Sequence, residues 1–106
     1  MSPLPEQPLS PLDGRYRAAV SSLGEYLSEA GLNRARVQVE VEWLIYLTSH
    51  ELFGSSRLSA EQTASLRALI PRFGQDDIDE LAELEATTRH DVKAVEYYVR
   101  ARLEAL

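Results

Sequence analysis

The chain is predicted to be all-α, about five helices with short connections, on three observations. Apolar residues recur at three- and four-residue spacing along most of its length. Capping sequences and glycines fall between those stretches. The one alternating apolar run, Val37 to Trp43, has no convincing second run to pair with as a strand.

Residues 1–9 hold three of the five prolines, lack periodicity, and are expected to form a flexible lead-in to a domain over 10–106. Pro11-Leu12-Asp13-Gly14 is a turn sequence, with proline fixing φ and glycine available for positive φ. Val20, Leu23, Leu27 and Ala30 share a helical face over Arg17 to Ala30, and Gly31 is the expected stop. Gly24 should weaken that helix by about 1 kcal/mol relative to alanine. From Val37 to Trp43 the pattern fits either a half-buried strand or a helix placing Val37, Val41, Leu44, Ile45 and Thr48 together. Length decides for a helix over about 33–50, with Asn33 as its cap.

Gly54-Ser55-Ser56 marks a loop, and Ser59-Ala60-Glu61-Gln62 has the form of a capping box. Leu66, Leu69 and Ile70 give the following helix its inner face, and Phe73-Gly74 closes it. Asp76 is positioned to cap a helix bearing Ile78, Leu81 and Leu84. Thr88-Arg89-His90-Asp91 again has capping-box form, with Asp at the fourth place, before a helix carrying Val92, Val95, Val99 and Leu103.

At 106 residues the chain has room for one domain and a modest core. It has no cysteine, so neither disulfides nor thiolate metal sites can form, and a cytoplasmic location is the expectation. No apolar run is long enough to span a membrane, and the first residues lack a secretory pattern. A net charge of −6, from 17 acidic and 11 basic residues, argues against broad nucleic-acid binding. It leaves room for one small anion site, because a few local donors outweigh a distant background. No His/Asp/Glu set has metal-ligand spacing, and no glycine-rich loop follows a strand.

Two segments carry chemistry. In Arg89-His90-Asp91, arginine offers a planar fork for carboxylate or phosphate, histidine exchanges a proton near neutrality, and aspartate can orient a ring or bind a hydroxyl. A helix N-terminus there would add backbone donors and a favourable dipole. In Asp13-Gly14-Arg15-Tyr16, a flexible turn is followed by a charged fork and a phenol, a set able to hold a phosphate. On residue types alone a second reading stands beside each: a capped, solvent-exposed helix start, and a turn followed by a surface arginine. His50 at a helix end complements the dipole, and Trp43, Tyr46 and Phe53 read as core or interface anchors.

Three segments in order carry a resemblance. Ser10-Pro11-Leu12-Asp13-Gly14-Arg15-Tyr16, the helix Arg34 to Leu44, and Thr87 through Tyr97 together resemble the adenylosuccinate lyase family of the fumarase/aspartase superfamily, over roughly residues 9–104. The branch resembled is the bacterial type that opens with Ser-Pro-x-Asp-Gly-Arg-Tyr. Arg89 departs from it, since some members have asparagine there.

The resemblance implies the N-terminal helical domain of such a lyase, truncated before the central helical-bundle domain. Family members release fumarate from adenylosuccinate, giving AMP, and from the succinylcarboxamide intermediate of purine biosynthesis. A base takes a proton beside a carboxylate, the aci-carboxylate expels the nucleotide nitrogen, and an acid protonates that nitrogen. No metal or organic cofactor is required. By resemblance Arg15 and Tyr16 match nucleotide contacts, and Arg89, His90 and Asp91 match a substrate-binding segment in which His90 positions the succinyl group or supports proton transfer. The principal acid, a later histidine, and the base, a serine on a mobile loop, have no counterpart in residues 1–106, so no catalytic residue is expected here and the domain alone should be inactive. The resemblance also implies a homotetramer whose active sites are shared between subunits. Another fumarate-releasing lyase of the superfamily, or a helical interaction module without enzymatic role, are the alternatives.

Overall fold

The computed structural model describes residues 3–106, in which all regular structure is helical. Six α-helical segments form: α1 (Arg17–Val20), α2 (Gly24–Leu27), α3 (Glu29–Ser49), α4 (Ala60–Arg67), α5 (Gln75–Thr88) and α6 (Asp91–Glu104). Short 3-10 turns at Pro11–Asp13, Ser21–Leu23 and Leu52–Gly54 complete the regular structure of the described residues.

The long helix α3 is the spine. Val37 and Val41, four residues apart, are fully buried, whereas Val39 between them is 66% exposed. The Val37–Val39–Val41 alternation is therefore that of a helix turning through its core face and not that of a strand. The helix begins at Glu29 and not near residue 33, because Ser28 caps it: Ser28 Oγ accepts from the Gly31 N–H at 3.0 Å. Asn33, the expected cap, instead accepts from Arg36 at 3.2 Å.

The helix expected over Arg17 to Ala30 is broken. It divides into α1, a 3-10 turn and α2, and ends at Ser28, whose extended backbone starts α3. Gly31 is not a stop but a buried residue inside α3. A Cβ there would lie 2.6 Å from the Glu25 carbonyl oxygen, so the glycine is what lets the α2 backbone lie directly on α3. Arg34, 5% exposed, secures the corner by donating to the Glu25 carbonyl at 3.0 Å and pairing with the Glu25 carboxylate at 3.0 Å. Of the lead-in expected over 1–9, residues 1–2 lie outside the described part. Residues 3–9 form no helix or strand, but Leu4 is buried and its N–H donates to Glu25 Oε1 at 2.8 Å.

Helix α4 has the expected capping box: Gln62 N–H donates to Ser59 Oγ at 3.0 Å and Ser59 N–H to Gln62 Oε1 at 2.9 Å. Helix α5 is capped by Gly74 rather than Asp76, and Asp77, in its first turn, accepts from the Gly74 N–H through Oδ2 at 2.9 Å. Helix α6 packs between α3 and α5, and α4 closes on α3. The core joins Val37 and Val41 of α3, Leu66 of α4, Phe73, Leu81 of α5, and Val95 and Tyr98 of α6. Tyr98, fully buried, stacks edge-on against Phe73 at 6.4 Å and donates its hydroxyl to Asp77 Oδ1 at 2.6 Å. Burial first, then the Asp77 bond, pushes this phenol far above its ordinary range.

The radius of gyration, 15.6 Å, exceeds the ~13 Å of a compact chain this long. The elongation leaves large apolar side chains uncovered. Trp43, Tyr46 and Phe53 are not core anchors: they are 53%, 50% and 92% exposed.

Candidate functional site

Residues 88–91 make the reversal from α5 into α6. Arg89 ends α5 in the left-handed region, φ 52° and ψ 32°, with its N–H bonded to the Glu85 carbonyl at 2.7 Å. That conformation is one asparagine adopts more readily than arginine, so the residue type at 89 bears on the turn as well as on any ligand. The Thr88 hydroxyl spans the turn, donating to the His90 carbonyl at 3.0 Å and lying 3.3 Å from the His90 N–H.

The cap of α6 is His90, not the Thr88–Asp91 box its sequence suggests. Its Nδ1 accepts from the Lys93 N–H at 3.1 Å. Because Nδ1 is the acceptor, the neutral ring carries its proton on Nε2, which becomes a donor. The ring is largely exposed, with 65% of its side chain accessible. Thr88 cannot serve as cap because it is still the last residue of α5.

Asp91 is committed within the fold. Its Oδ1 accepts from the Val92 N–H at 2.8 Å, and Oδ2 pairs with Arg36 of α3 at 2.7 Å. The Val92 bond first, and then Arg36, hold its carboxyl below the ordinary aspartate range. The first-turn donors of α6 are thereby taken up by His90 and Asp91 themselves, so the helix start is not an open anion cradle. Lys93 is engaged too, pairing with Glu96 at 3.0 Å and lying 5.4 Å from the Tyr97 ring centre. What the segment offers outward is the Arg89 guanidinium and the His90 ring, beside a shallow hollow of about 350 Å³ lined by Glu80, Glu83, Leu84, Thr87, Thr88 and Tyr97.

Arg15 and Tyr16 lie on a separate element. The 3-10 turn before them is a capping box: Asp13 accepts from the N–H groups of Leu9 at 2.7 Å and Ser10 at 3.1 Å, while Ser10 Oγ accepts from Leu12 at 3.1 Å. Asp13 is thus a folding residue. Gly14 has φ −85° and open space where a Cβ would stand, so the turn uses neither positive φ nor a close approach at this position. The Arg15 guanidinium lies 5.4 Å from the Tyr16 ring centre, and Tyr16 is 51% exposed. Among the described residues neither Arg15 nor the Tyr16 hydroxyl has a hydrogen-bond partner, and no bond or ion pair joins this pair to residues 89–91. Arg15 and Tyr16 also lie outside the wall of the neighbouring hollow, about 550 Å³, between the lead-in and α1–α2.

Sequence reasoning missed Arg36. Its pairing with Asp91 joins two distant stretches of chain, and no local spacing announces it. It likewise missed Glu25, which ties the lead-in and α3 to one carboxylate. His50 behaves as a helix end, with Nδ1 2.9 Å from the Tyr46 carbonyl oxygen. No group of three metal-ligating side chains comes together among the described residues, and no described helix is long and apolar enough to cross a membrane.

No protein-family model matches the chain. It is 41% identical over 96 residues to the adenylosuccinate lyase of Escherichia coli K12, covering 90% of this chain and 21% of that protein. The lyases of Haemophilus influenzae and Dictyostelium discoideum are 41% and 39% identical over 97 residues, each again matched over 21% of its length. Across nine-tenths of its residues the chain is similar to adenylosuccinate lyases, and it spans about a fifth of the length of the curated proteins it matches.

Proposed function

We propose that residues 10–106 form the N-terminal helical domain of an adenylosuccinate lyase, contributing substrate-binding groups to an active site that other segments complete. The reaction is release of fumarate from adenylosuccinate, giving AMP, and from the succinylcarboxamide intermediate of purine biosynthesis, in the cytoplasm. The carrying observation is the 41% identity over 96 residues, a span that includes both polar segments.

The geometry supports a division of labour. Arg15 and Tyr16, unengaged within the domain, supply a guanidinium and a hydroxyl suited to the nucleotide phosphate. Arg89 and the Nε2 proton of His90 face outward to meet the succinyl carboxylates. Asp91 holds the segment on α3 through Arg36 and acts as a positioning residue. The two sets are unconnected in the domain, which suits a site shared between subunits of a homotetramer. The abstracting base and the principal acid lie in other parts of the enzyme, so the domain alone is inactive.

The test is calorimetric titration of the 106-residue protein with AMP, beside an adenylosuccinate turnover assay. Binding no tighter than millimolar and no turnover are expected, since a half-built site has lost its preorganisation. Micromolar affinity that survives Arg15→Ala, or measurable turnover, would overturn the reading.

A further inference from the structure

The segment before the first 3-10 turn lies against the fold along its length. From Pro5 to Leu9 half-buried and exposed residues alternate, the period of an extended chain with one side on a surface. That surface is α1–α2: the Gln7 Cβ passes 4.0 Å from where a Cβ at Gly24 would stand. Three of the chain's five prolines fall in residues 1–9. They stiffen the backbone, so less freedom is lost when it is held extended.

The segment is tied at both ends. Leu4 is 9% exposed, and its N–H donates to Glu25 Oε1 at 2.8 Å. The other oxygen of that carboxylate, Oε2, pairs at 3.0 Å with Arg34, which is buried in α3. One glutamate of α2 thus links the lead-in to the spine of the fold. Further along, Glu6 pairs with Arg17 at 3.0 Å, and the N–H groups of Leu9 and Ser10 close on Asp13. Arg17 Nε also donates to the Asp13 carbonyl at 2.6 Å.

Arg15 and Tyr16 stand between Asp13 and Arg17, the two residues held in this way. The Arg15 guanidinium and the Tyr16 hydroxyl have no hydrogen-bond or ion-pair partner of their own among the described residues. Helix α1, which follows, is one turn of four residues without a side-chain cap, and a single turn does not hold itself. The orientation of the pair therefore comes from the backbone on either side, and the placement of that backbone from the lead-in.

We propose that residues 3–9 are a strap that orients the Arg15–Tyr16 pair, with Glu25 as the positioning residue that anchors the strap to α3 through Arg34. The proposal rests on the lyase reading for what the pair binds, a phosphate, and not for the strap itself.

Backbone order parameters from NMR relaxation of the 106-residue protein test it. Leu4→Pro removes both the N–H held by Glu25 and the buried side chain, and leaves the Glu25–Arg34 pair in place. Leu4→Met keeps an N–H and an apolar side chain. In the native protein and in Leu4→Met the amides of Arg15 and Tyr16 are expected to be as rigid as those of α3, with order parameters of about 0.85. In Leu4→Pro they should fall below about 0.6 while Val37 and Val95 in the core do not change. A turn already below about 0.6 in the native protein, a turn that stays rigid in Leu4→Pro, or a core that loosens with it overturns the proposal. Inorganic phosphate titrated into the same samples is expected to shift the Arg15 and Tyr16 resonances, with an affinity about threefold weaker in Leu4→Pro. Equal affinity in the two proteins overturns the orienting role. No phosphate shift at either residue in the native protein removes the phosphate contact from the lyase reading, while the order parameters still decide the strap.

Discussion

Arg36 of α3 and Asp91 of α6 meet at 2.7 Å, and the same carboxylate accepts the Val92 N–H at 2.8 Å. Asp91 therefore starts one helix while holding it to another. The polar segment before α6 inherits its placement from this contact, so Asp91 serves the neighbouring arginine and histidine by fixing where they stand.

Asp91 titrates below the ordinary aspartate range, chiefly through the Val92 N–H and then Arg36. Its stabilising contribution is complete above the unfolded value of about 4 and is lost as pH falls through the lower folded value. Asp91→Asn keeps an acceptor for Val92 but removes the charge facing Arg36. The variant should be the less stable protein at pH 6, with a shallower loss between about pH 4 and 2. Urea unfolding followed by circular dichroism across that range checks it; identical slopes would show that the pairing does not act in the folded protein.

His90 has a folding role separable from binding. His90→Ala removes the acceptor for the Lys93 N–H and should cost about 1 kcal/mol, or some 4–8 °C in Tm. His90→Asn should recover most of that, because its side-chain oxygen also caps. On the lyase reading proposed above, the asparagine variant of the complete enzyme should remain impaired, having lost the outward Nε2 donor in its native geometry. Restored activity along with restored stability would make His90 a cap alone.

Gly31→Ala sets a methyl 2.6 Å from the Glu25 carbonyl oxygen and 3.1 Å from the Tyr26 nitrogen. Both are backbone atoms, so relief requires moving α2 off α3. A destabilisation of about 1–3 kcal/mol is expected, despite alanine being the better helix former. Thermal denaturation decides it, and a rise in Tm would show that the corner is looser than the packing indicates.

Tyr98 joins α6 to the first turn of α5 through Asp77, whose other oxygen accepts from the Gly74 N–H. Tyr98→Phe should cost about 1–2 kcal/mol, because it deprives a half-buried carboxylate of a donor. Its phenol is raised far above the ordinary range, so of five tyrosines one should stay protonated in an ultraviolet titration near pH 10 until the fold opens. The phenol stays un-ionised in the fold, so its contribution is full below about pH 10 and falls as pH rises further. All five ionising together in the native protein would contradict the placement.

Much of this fold is written locally. The Ser59–Gln62 box needs only its own four residues, and the apolar spacing of Val37, Val41, Val95 and Val99 names the core faces before any contact is known. Both polar segments also announce themselves by residue type. Local rules misplaced the caps at Asn33, Asp76 and Thr88. A cap belongs to whichever neighbour the chain direction favours: Ser28 and Gly74 are of capping residue types, whereas His90 caps through a ring nitrogen that residue-type preference does not announce.

The all-α class, the core faces and the likeness to adenylosuccinate lyases are all legible in the linear chain, because helical periodicity and residue identity are properties of short stretches. The packing of distant segments added that Gly31 is a contact and not a terminus, and that Asp91 answers to Arg36. Those are meetings between stretches far apart in the chain, and whether a charge is compensated or a Cβ has room depends on what the rest of the fold brings beside it.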